Sequence, residues 1–282
     1  GMLGCNLKCG YCQNWLTSQA LRESGTDKLA GYLRELSPEK IISYGLASGA
    51  EVVASSYNEP LITSEWACDI FRVAEQSGMK CVYISNGFAT EQVLDYLNPV
   101  LTGFKVDLKT MKENHYRDLG ARLQPVLDSI KYAHGLGLWV EIVTLLVPGF
   151  NDTRAELVEM VDFILSVSPD IPWHISAFRP EYKMTDLSRT SPSQVLTAVE
   201  LGYEKGLHYV YGGNLPGGQG DHENTRCHQC RSLLIKRSGY LIREYRITDS
   251  GTCPDCGTSI PGVWSDNTSK IRSNRSDFFR SL

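Results

Sequence analysis

From Ser37 to Lys205 the sequence switches repeatedly between a helical and an extended hydrophobic pattern, and this alternation limits the possible folds more than any other feature. Ser37-Pro38, a cap followed by proline at the first helical position, opens a helix expected to run to about residue 48. Residues 51–55 then read as a buried strand, 64–77 as a helix stopped by Gly78, and 80–85 as a second strand. The pairing recurs with helices at 90–97, 123–134, 153–167 and 193–205 and strands at 102–108, 138–145 and 173–178. Two helices begin with capping-box sequences, Thr153 with Glu156 and Ser191 with Gln194, the latter with Pro192 at the first position. Short apolar strands alternating with helices imply parallel strands joined by right-handed crossovers, either a sheet covered by helices or one curled into a full or partial barrel. A doubly wound open sheet is the alternative. Its common dinucleotide-binding form is disfavoured because no Gly-x-Gly-x-x-Gly stands between a strand and a helix. At 282 residues and 42% hydrophobic content, the chain can bury one barrel-sized core and a small appendage.

The nine cysteines follow ligand spacing rather than a disulfide framework. Cys5, Cys9 and Cys12 crowd onto one loop, Cys227-x2-Cys230 and Cys253-x2-Cys256 form two pairs, and Cys68 and Cys81 stand alone in apolar stretches as small buried hydrophobes. Three thiolates on a tight loop can bind three corners of a 4Fe-4S cube and leave the fourth iron without a protein ligand. Unpaired thiols, or a zinc site completed from elsewhere, is the competing reading. The balance of 28 Lys+Arg against 32 Asp+Glu gives a formal charge of -4, so there is no bulk attraction for nucleic acid or anionic membrane. No apolar run approaches the roughly 20 residues that cross a bilayer, and no signal-peptide layout opens the chain. A cytoplasmic protein is expected.

Polar motifs gather at the ends of the expected strands, where parallel-strand barrels place their chemistry. Asn58-Glu59-Pro60 follows the first, Ser85-Asn86-Gly87 the second, and Asp107 with Lys109 the third; this pair also fits a simple ion pair. Glu141 lies within the next strand, and Asn151 and Asp152 after it suit a helix cap. His174, inside Pro172-Trp173-His174-Ile175, fits either a satisfied core histidine or a cofactor contact.

The two C-terminal Cys pairs flank a strand-like segment, 233–247, with a turn at Ser238-Gly239, which together suggest a small zinc-ribbon hairpin. Four thiolates close a coordination shell, so Cys227, Cys230, Cys253 and Cys256 are expected to hold a structural zinc, with an auxiliary iron-sulfur cluster as the rival. The domains expected are a barrel at 1–211, a Gly-rich linker at 212–226, the four-cysteine module at 227–264 and a polar tail at 265–282.

GCNLKCGYCQN resembles the cluster loop of the radical S-adenosylmethionine (SAM) superfamily, Cys-x3-Cys-x-aromatic-Cys, with Tyr11 in the aromatic position. Tyr-Asn-Glu-Pro, His-Ile-Ser-Ala-Phe-Arg-Pro, Tyr-Gly-Gly-Asn and the ribbon ending Ile-Pro-Gly-Val-Trp look like the AmmeMemoRadiSam-system members, related to pyruvate formate-lyase activating enzymes. The resemblance implies a partial (β/α) TIM-like barrel and a 4Fe-4S cluster on Cys5, Cys9 and Cys12. It also implies that the open iron is chelated by SAM, which is cleaved reductively to methionine and a 5'-deoxyadenosyl radical that abstracts hydrogen. By the same resemblance Tyr11 would help hold adenine, and Asn58 and Glu59, standing where the superfamily has Gly-Gly-Glu, would contact the SAM amino group. Ser85, Asn86, Asp107, Lys109, Glu141 and His174 are further candidates for the cofactor. The leading substrate is a protein, served by an external electron donor of flavodoxin or ferredoxin type. Glycyl-radical activation, a small metabolite, a tRNA base and a non-catalytic metal-binding module are the alternatives. In the resembling family a strand leads into the cysteine loop, yet only Gly1 to Gly4 precede Cys5, so that strand is expected to be missing and residues 51–55 to form an open sheet edge.

Overall fold

The computed structural model describes residues 2–19, 22, 33–215, 220–239, 241–265, 268 and 271. Six parallel strands follow one another in the order of the chain: β1 (Val52–Ser55), β2 (Lys80–Ser85), β3 (Gly103–Asp107), β4 (Trp139–Leu146), β5 (Trp173–Ala177) and β6 (Val210–Gly213). Helices α1 (Trp15–Ser18) and α2 (Pro38–Ala47) precede β1, and α3 (Ser64–Gln76), α4 (Glu91–Leu97), α5 (Glu113–Asp118), α6 (Leu123–Gly135), α7 (Arg154–Val167) and α8 (Pro192–Lys205) fill the crossovers. This strand-helix order is that of a partial (β/α) barrel. The helix starts are chemically explicit. Ser37 accepts from Lys40 N and Thr153 from Glu156 N, while Ser191 and Gln194 complete a reciprocal box. Asn151 and Asp152 do not cap α7, because Thr153 holds that position. Instead the Asn151 side chain bonds Val147 N and Leu145 O, and Asp152 accepts from Gly149 N, fixing the loop after β4.

The chain forms two compact units, one of Gly1–Val143 with Arg179–Ser188, the other of Thr144–Phe178 with Arg189–Leu282. In the first, β1 to β4 pair in register, and alternate residues point to opposite faces. Tyr83, Phe104 and Val106 are buried, as are Ala67, Phe71 and Ala74 of α3 and Val126 and Ile130 of α6, and the Tyr83 ring packs edge-on against Phe71. The other face carries Lys105, Asp107, Trp139 and Glu141, each half-buried. Among the described residues no strand precedes Cys5, and β1 stands at one end of the strand order with Val52 50% exposed. Met2 N donates to Tyr57 O at 2.8 Å, so the chain before the cysteine loop is pinned to the segment after β1.

In the second unit β5 and β6 pair in parallel, and the buried Trp173 donates its indole N–H to Thr144 Oγ1 at 3.0 Å. A separate antiparallel sheet, β7 (Thr225–Arg226), β8 (Leu233–Ser238) and β9 (Leu241–Tyr245), forms the ribbon. Its core of Leu234, Ile235, Ile247 and Ile260 is shared with Tyr209 and Tyr211, the latter on β6. Residues 216–219 of the expected linker, and all of the expected tail except 265, 268 and 271, lie outside the described residues. No described helix is long and apolar enough to cross a membrane.

Candidate functional site

The cysteine loop lies at the carboxyl ends of β2 and β3. Ser85, the last residue of β2, donates its hydroxyl to Glu59 Oε1 at 2.8 Å, and the next backbone N–H, of Asn86, donates to Glu59 Oε2 at 2.7 Å. Gly87 completes the turn at φ 72°, and a Cβ there would stand 2.5 Å from Val106 Cγ1, so only glycine fits. The turn aims the Asn86 amide at the cysteine loop, where Nδ2 donates to Asn6 Oδ1 at 2.7 Å and reaches Cys5 Sγ at 3.9 Å. Leu7 N also donates to Cys5 Sγ, at 3.4 Å.

At the end of β3, two ammonium groups share one carboxylate: Lys105 Nζ lies 2.6 Å and Lys109 Nζ 3.5 Å from the Asp107 oxygens. Burial alone would raise the Asp107 pKa, but the two lysines outweigh it and hold the carboxyl below its ordinary range. Burial works against the Lys109 charge, and Asp107 with Cys9 beside it more than restores it. Tyr116, on α5, accepts from Lys109 N at 3.1 Å and helps bury this corner. Cys9 is buried next to Lys109, and its thiol is pushed up to about 11 by that burial, against the pull of the ammonium. Lys109 is the ammonium that acts on the thiols, drawing Cys5 and Cys9 toward the thiolate, while the Glu59 carboxylate opposes it at Cys5 and Asp107 opposes it at Cys9.

Residues 179–188 return to cover the loop. Lys183 N donates to Gly10 O at 2.9 Å, and Tyr182 stacks on Trp15 with centroids 5.1 Å apart. The donor set fits an iron-sulfur cluster: three thiols stand on one loop, and the Cys5 sulfur accepts from Leu7 N and is approached by Asn86 Nδ2, as the sulfurs of a negatively charged cluster require.

The family model of the radical SAM superfamily matches residues 1–164, more than half of the chain. The chain belongs to the radical SAM superfamily. It is 34% identical over 259 residues to the Methanocaldococcus jannaschii protein MJ0808, covering 91% of this chain and 75% of the relative. It is 28% identical over 178 residues to a Staphylococcus aureus pyruvate formate-lyase-activating enzyme, covering 58% and 67%. Among solved structures, Streptococcus suis SuiB matches with a TM-score of 0.59 at 15% identity, covering 76% of this chain and 48% of SuiB. A domain of the Bacteroides vulgatus pyruvate-formate lyase-activating enzyme matches with a TM-score of 0.50 at 20% identity, covering 57% and 98%. Both likenesses are of fold, and they agree with the partial-barrel topology.

For this radical SAM chain the structure brings Cys5, Cys9, Tyr11, Glu59, Ser85, Asn86, Asp107 and Lys109 together in one unit, with Tyr11 buried beside Cys9 and Lys109. Asn58 sits at the other side of the loop, its amide donating to Met2 O and accepting from Thr17 Oγ1, both at 2.9 Å. Glu141 accepts from Trp139 Nε1 at 2.9 Å. His174, in the second unit, is half-buried and stacks on Tyr211 at 5.0 Å. Sequence reading missed Lys105, Tyr116, Asn6 and Ser18. For Lys105 a signal existed, since it shares the period-two face of Asp107 inside an apolar strand.

In the ribbon the four thiols of Cys227, Cys230, Cys253 and Cys256 lie within 4.8 Å of one another, with Cys227–Cys256 and Cys230–Cys253 at 3.7 Å. A tetrahedral ion with metal–sulfur bonds of about 2.3 Å requires sulfur–sulfur edges of roughly 3.8 Å, so a single ion fits. A cubane, with an iron behind each sulfur, would spread them farther. Asp170, His208 and His228 also approach one another, with one ligand atom of each within 4.8 Å of the others. The imidazoles are stacked at 4.6 Å and 11°, so their in-plane lone pairs do not converge, and His208 Nδ1 is engaged with Asp170 and His228 Nδ1 with the Tyr209 hydroxyl.

Proposed function

We propose that this chain is a radical SAM enzyme that cleaves SAM reductively and transfers the radical to a protein substrate. The observation that carries the reading is the loop of Cys5, Cys9 and Cys12, packed at the strand ends beside the ion-paired corner of Lys105, Asp107 and Lys109. Cys5, Cys9 and Cys12 would hold a 4Fe-4S cluster, which supplies one-electron reduction of a bound sulfonium. Tyr11 walls the site beside Cys9, Lys109 offers charge for a carboxylate, and Asn86 offers an amide to the cluster edge. Glu59, whose oxygens already accept from Ser85, Asn86 and Leu61, orients that amide. The protein-substrate reading is supported by the similarity to pyruvate formate-lyase-activating enzyme, whose name gives a protein target. An external one-electron donor of flavodoxin or ferredoxin type completes the scheme. For the ribbon we propose one structural zinc, in keeping with the sulfur spacing.

Anaerobic reconstitution tests this. The protein should take up about four irons on the N-terminal loop, and dithionite with SAM should give 5'-deoxyadenosine. Cys9→Ala should abolish both, and product formation unchanged in that variant overturns the cluster assignment. Stimulation of 5'-deoxyadenosine formation by a cell extract should vanish after protease treatment; stimulation that survives protease points to a small molecule instead. Metal analysis of the Cys5/Cys9/Cys12 triple alanine variant should find one zinc and no sulfide, and iron with sulfide there would overturn the zinc assignment.

A further inference from the structure

The cysteine loop carries a chain of hydrogen bonds whose direction is fixed by its ends. Ser18 and Gln19, at the end of α1, are each 3% exposed. The Gln19 amide has two partners that admit only one orientation. Leu7 O can only accept, so Nε2 faces it at 3.2 Å, and the Arg22 guanidinium can only donate, so Oε1 faces Nη1 at 3.2 Å. The same Nε2 lies 3.2 Å from Ser18 Oγ, which is therefore an acceptor toward Gln19. A serine hydroxyl has one proton to give. Cys12 Sγ lies 3.2 Å away on the other side, and a metal-bound thiolate can only accept, so the proton points at the sulfur. Arg22 anchors the arrangement at 2.8 Å to both Leu7 O and Cys5 O, tying the guanidinium to the backbone of the loop it serves.

We propose that Ser18 is a positioning residue, held as a donor by Gln19 and Arg22, whose hydrogen bond to the Cys12 thiolate raises the reduction potential of the cluster. The inference rests on the assignment of the cluster to Cys5, Cys9 and Cys12. A hydrogen bond to a ligand sulfur withdraws electron density from the iron-sulfur unit and favours its reduced, more negative form. Asn86 and Leu7 N play the corresponding part at Cys5, so sulfurs at both ends of the loop are supplied with donors.

Potentiometric titration followed by electron paramagnetic resonance tests the proposal, with iron and sulfide content and thermal melting recorded for each variant. Ser18→Ala should lower the midpoint, by about a tenfold fall in the reduced-to-oxidised ratio at fixed potential, or ~59 mV for one electron. Ser18→Thr, which keeps the hydroxyl, should restore most of it. Gln19→Glu should also lower the midpoint although Ser18 is intact, because the new carboxylate takes the serine proton away from sulfur. The added charge acts through space as well, so the decisive comparison is that Gln19→Glu shifts the midpoint less in a Ser18→Ala background. If Ser18→Ala fails to hold a cluster, Gln19→Glu against wild type decides. A full cluster with an unchanged midpoint in Ser18→Ala, or in Gln19→Glu, overturns the inference alone. A wild-type chain that takes up no cluster overturns the cluster assignment and the inference together.

Discussion

Glu59 and Asn86, 27 residues apart, are joined by a 2.7 Å hydrogen bond from the Asn86 backbone N–H to Glu59 Oε2, inside a pocket that leaves the glutamate 2% exposed. Burial pushes the Glu59 pKa up, while the donors at Asn86, Leu61 and Ser85 offset part of that cost. The pair links the segment after β1 to the turn after β2, and through the Asn86 side chain to the cysteine loop. Glu59→Gln replaces one acceptor oxygen by an N–H₂ group facing donors. We expect a loss of about 1–3 kcal/mol in chemical denaturation, together with lower iron content after reconstitution.

The turn beyond Asn86 should be equally intolerant. Gly87→Ala adds a Cβ 2.5 Å from Val106 Cγ1 at a φ of 72°, so strain and overpacking combine. A destabilisation of roughly 2–4 kcal/mol is expected, read from denaturant midpoints.

The Asp107 carboxyl carries a pH dependence of known sign. Its pKa is depressed in the folded protein, since Lys109 and Lys105 outweigh burial. Its contribution is therefore present above the ordinary aspartate value of about 3.9 and is lost as pH falls through the depressed folded value. In apo-protein melts, Asp107→Asn should be less stable than wild type at pH 6, and the gap should close toward pH 3. A gap of the same size at both values would show that the two ion pairs add nothing.

Tyr182→Ala should loosen the cover over the cluster loop. The lost stack on Trp15 is worth about 0.5–1.5 kcal/mol, and the visible absorption of the reconstituted protein should bleach faster in air.

Much of this architecture was legible in the residues themselves. Buried parallel strands are short apolar runs, so β2 and β5 stand out, and Cys5, Cys9 and Cys12 are recognisable because ligand spacing on a loop is local. Helix α5 escaped notice because Glu113–Asp118 is polar on most positions, and its value lies in one residue, Tyr116, placed against Lys109. Asn151 and Asp152 looked like caps because their side chains suit one, but Thr153 competes for the same helix start and holds it. The Glu59–Asn86 link and the Ser18–Gln19–Arg22 chain depend on which way side chains turn after folding, and no period in the sequence encodes that.

If the ribbon holds the proposed zinc, its removal should be felt beyond the four cysteines. A strong chelator should red-shift the fluorescence of Trp264, whose indole N–H donates to Ile260 O at 2.7 Å, and lower the melting temperature. An unchanged emission spectrum after verified metal loss would mean the ribbon holds its shape without the ion.

Because Tyr209 and Tyr211 belong to the same apolar cluster as the ribbon's Leu234 and Ile235, the ribbon is not a detachable tag. Exchanging it for another four-cysteine module would keep a four-thiol set yet leave Tyr209 and Tyr211 against a surface not shaped to them. A chimera would therefore need matched changes at 209 and 211, much as a transplanted lid must fit the jar it came to.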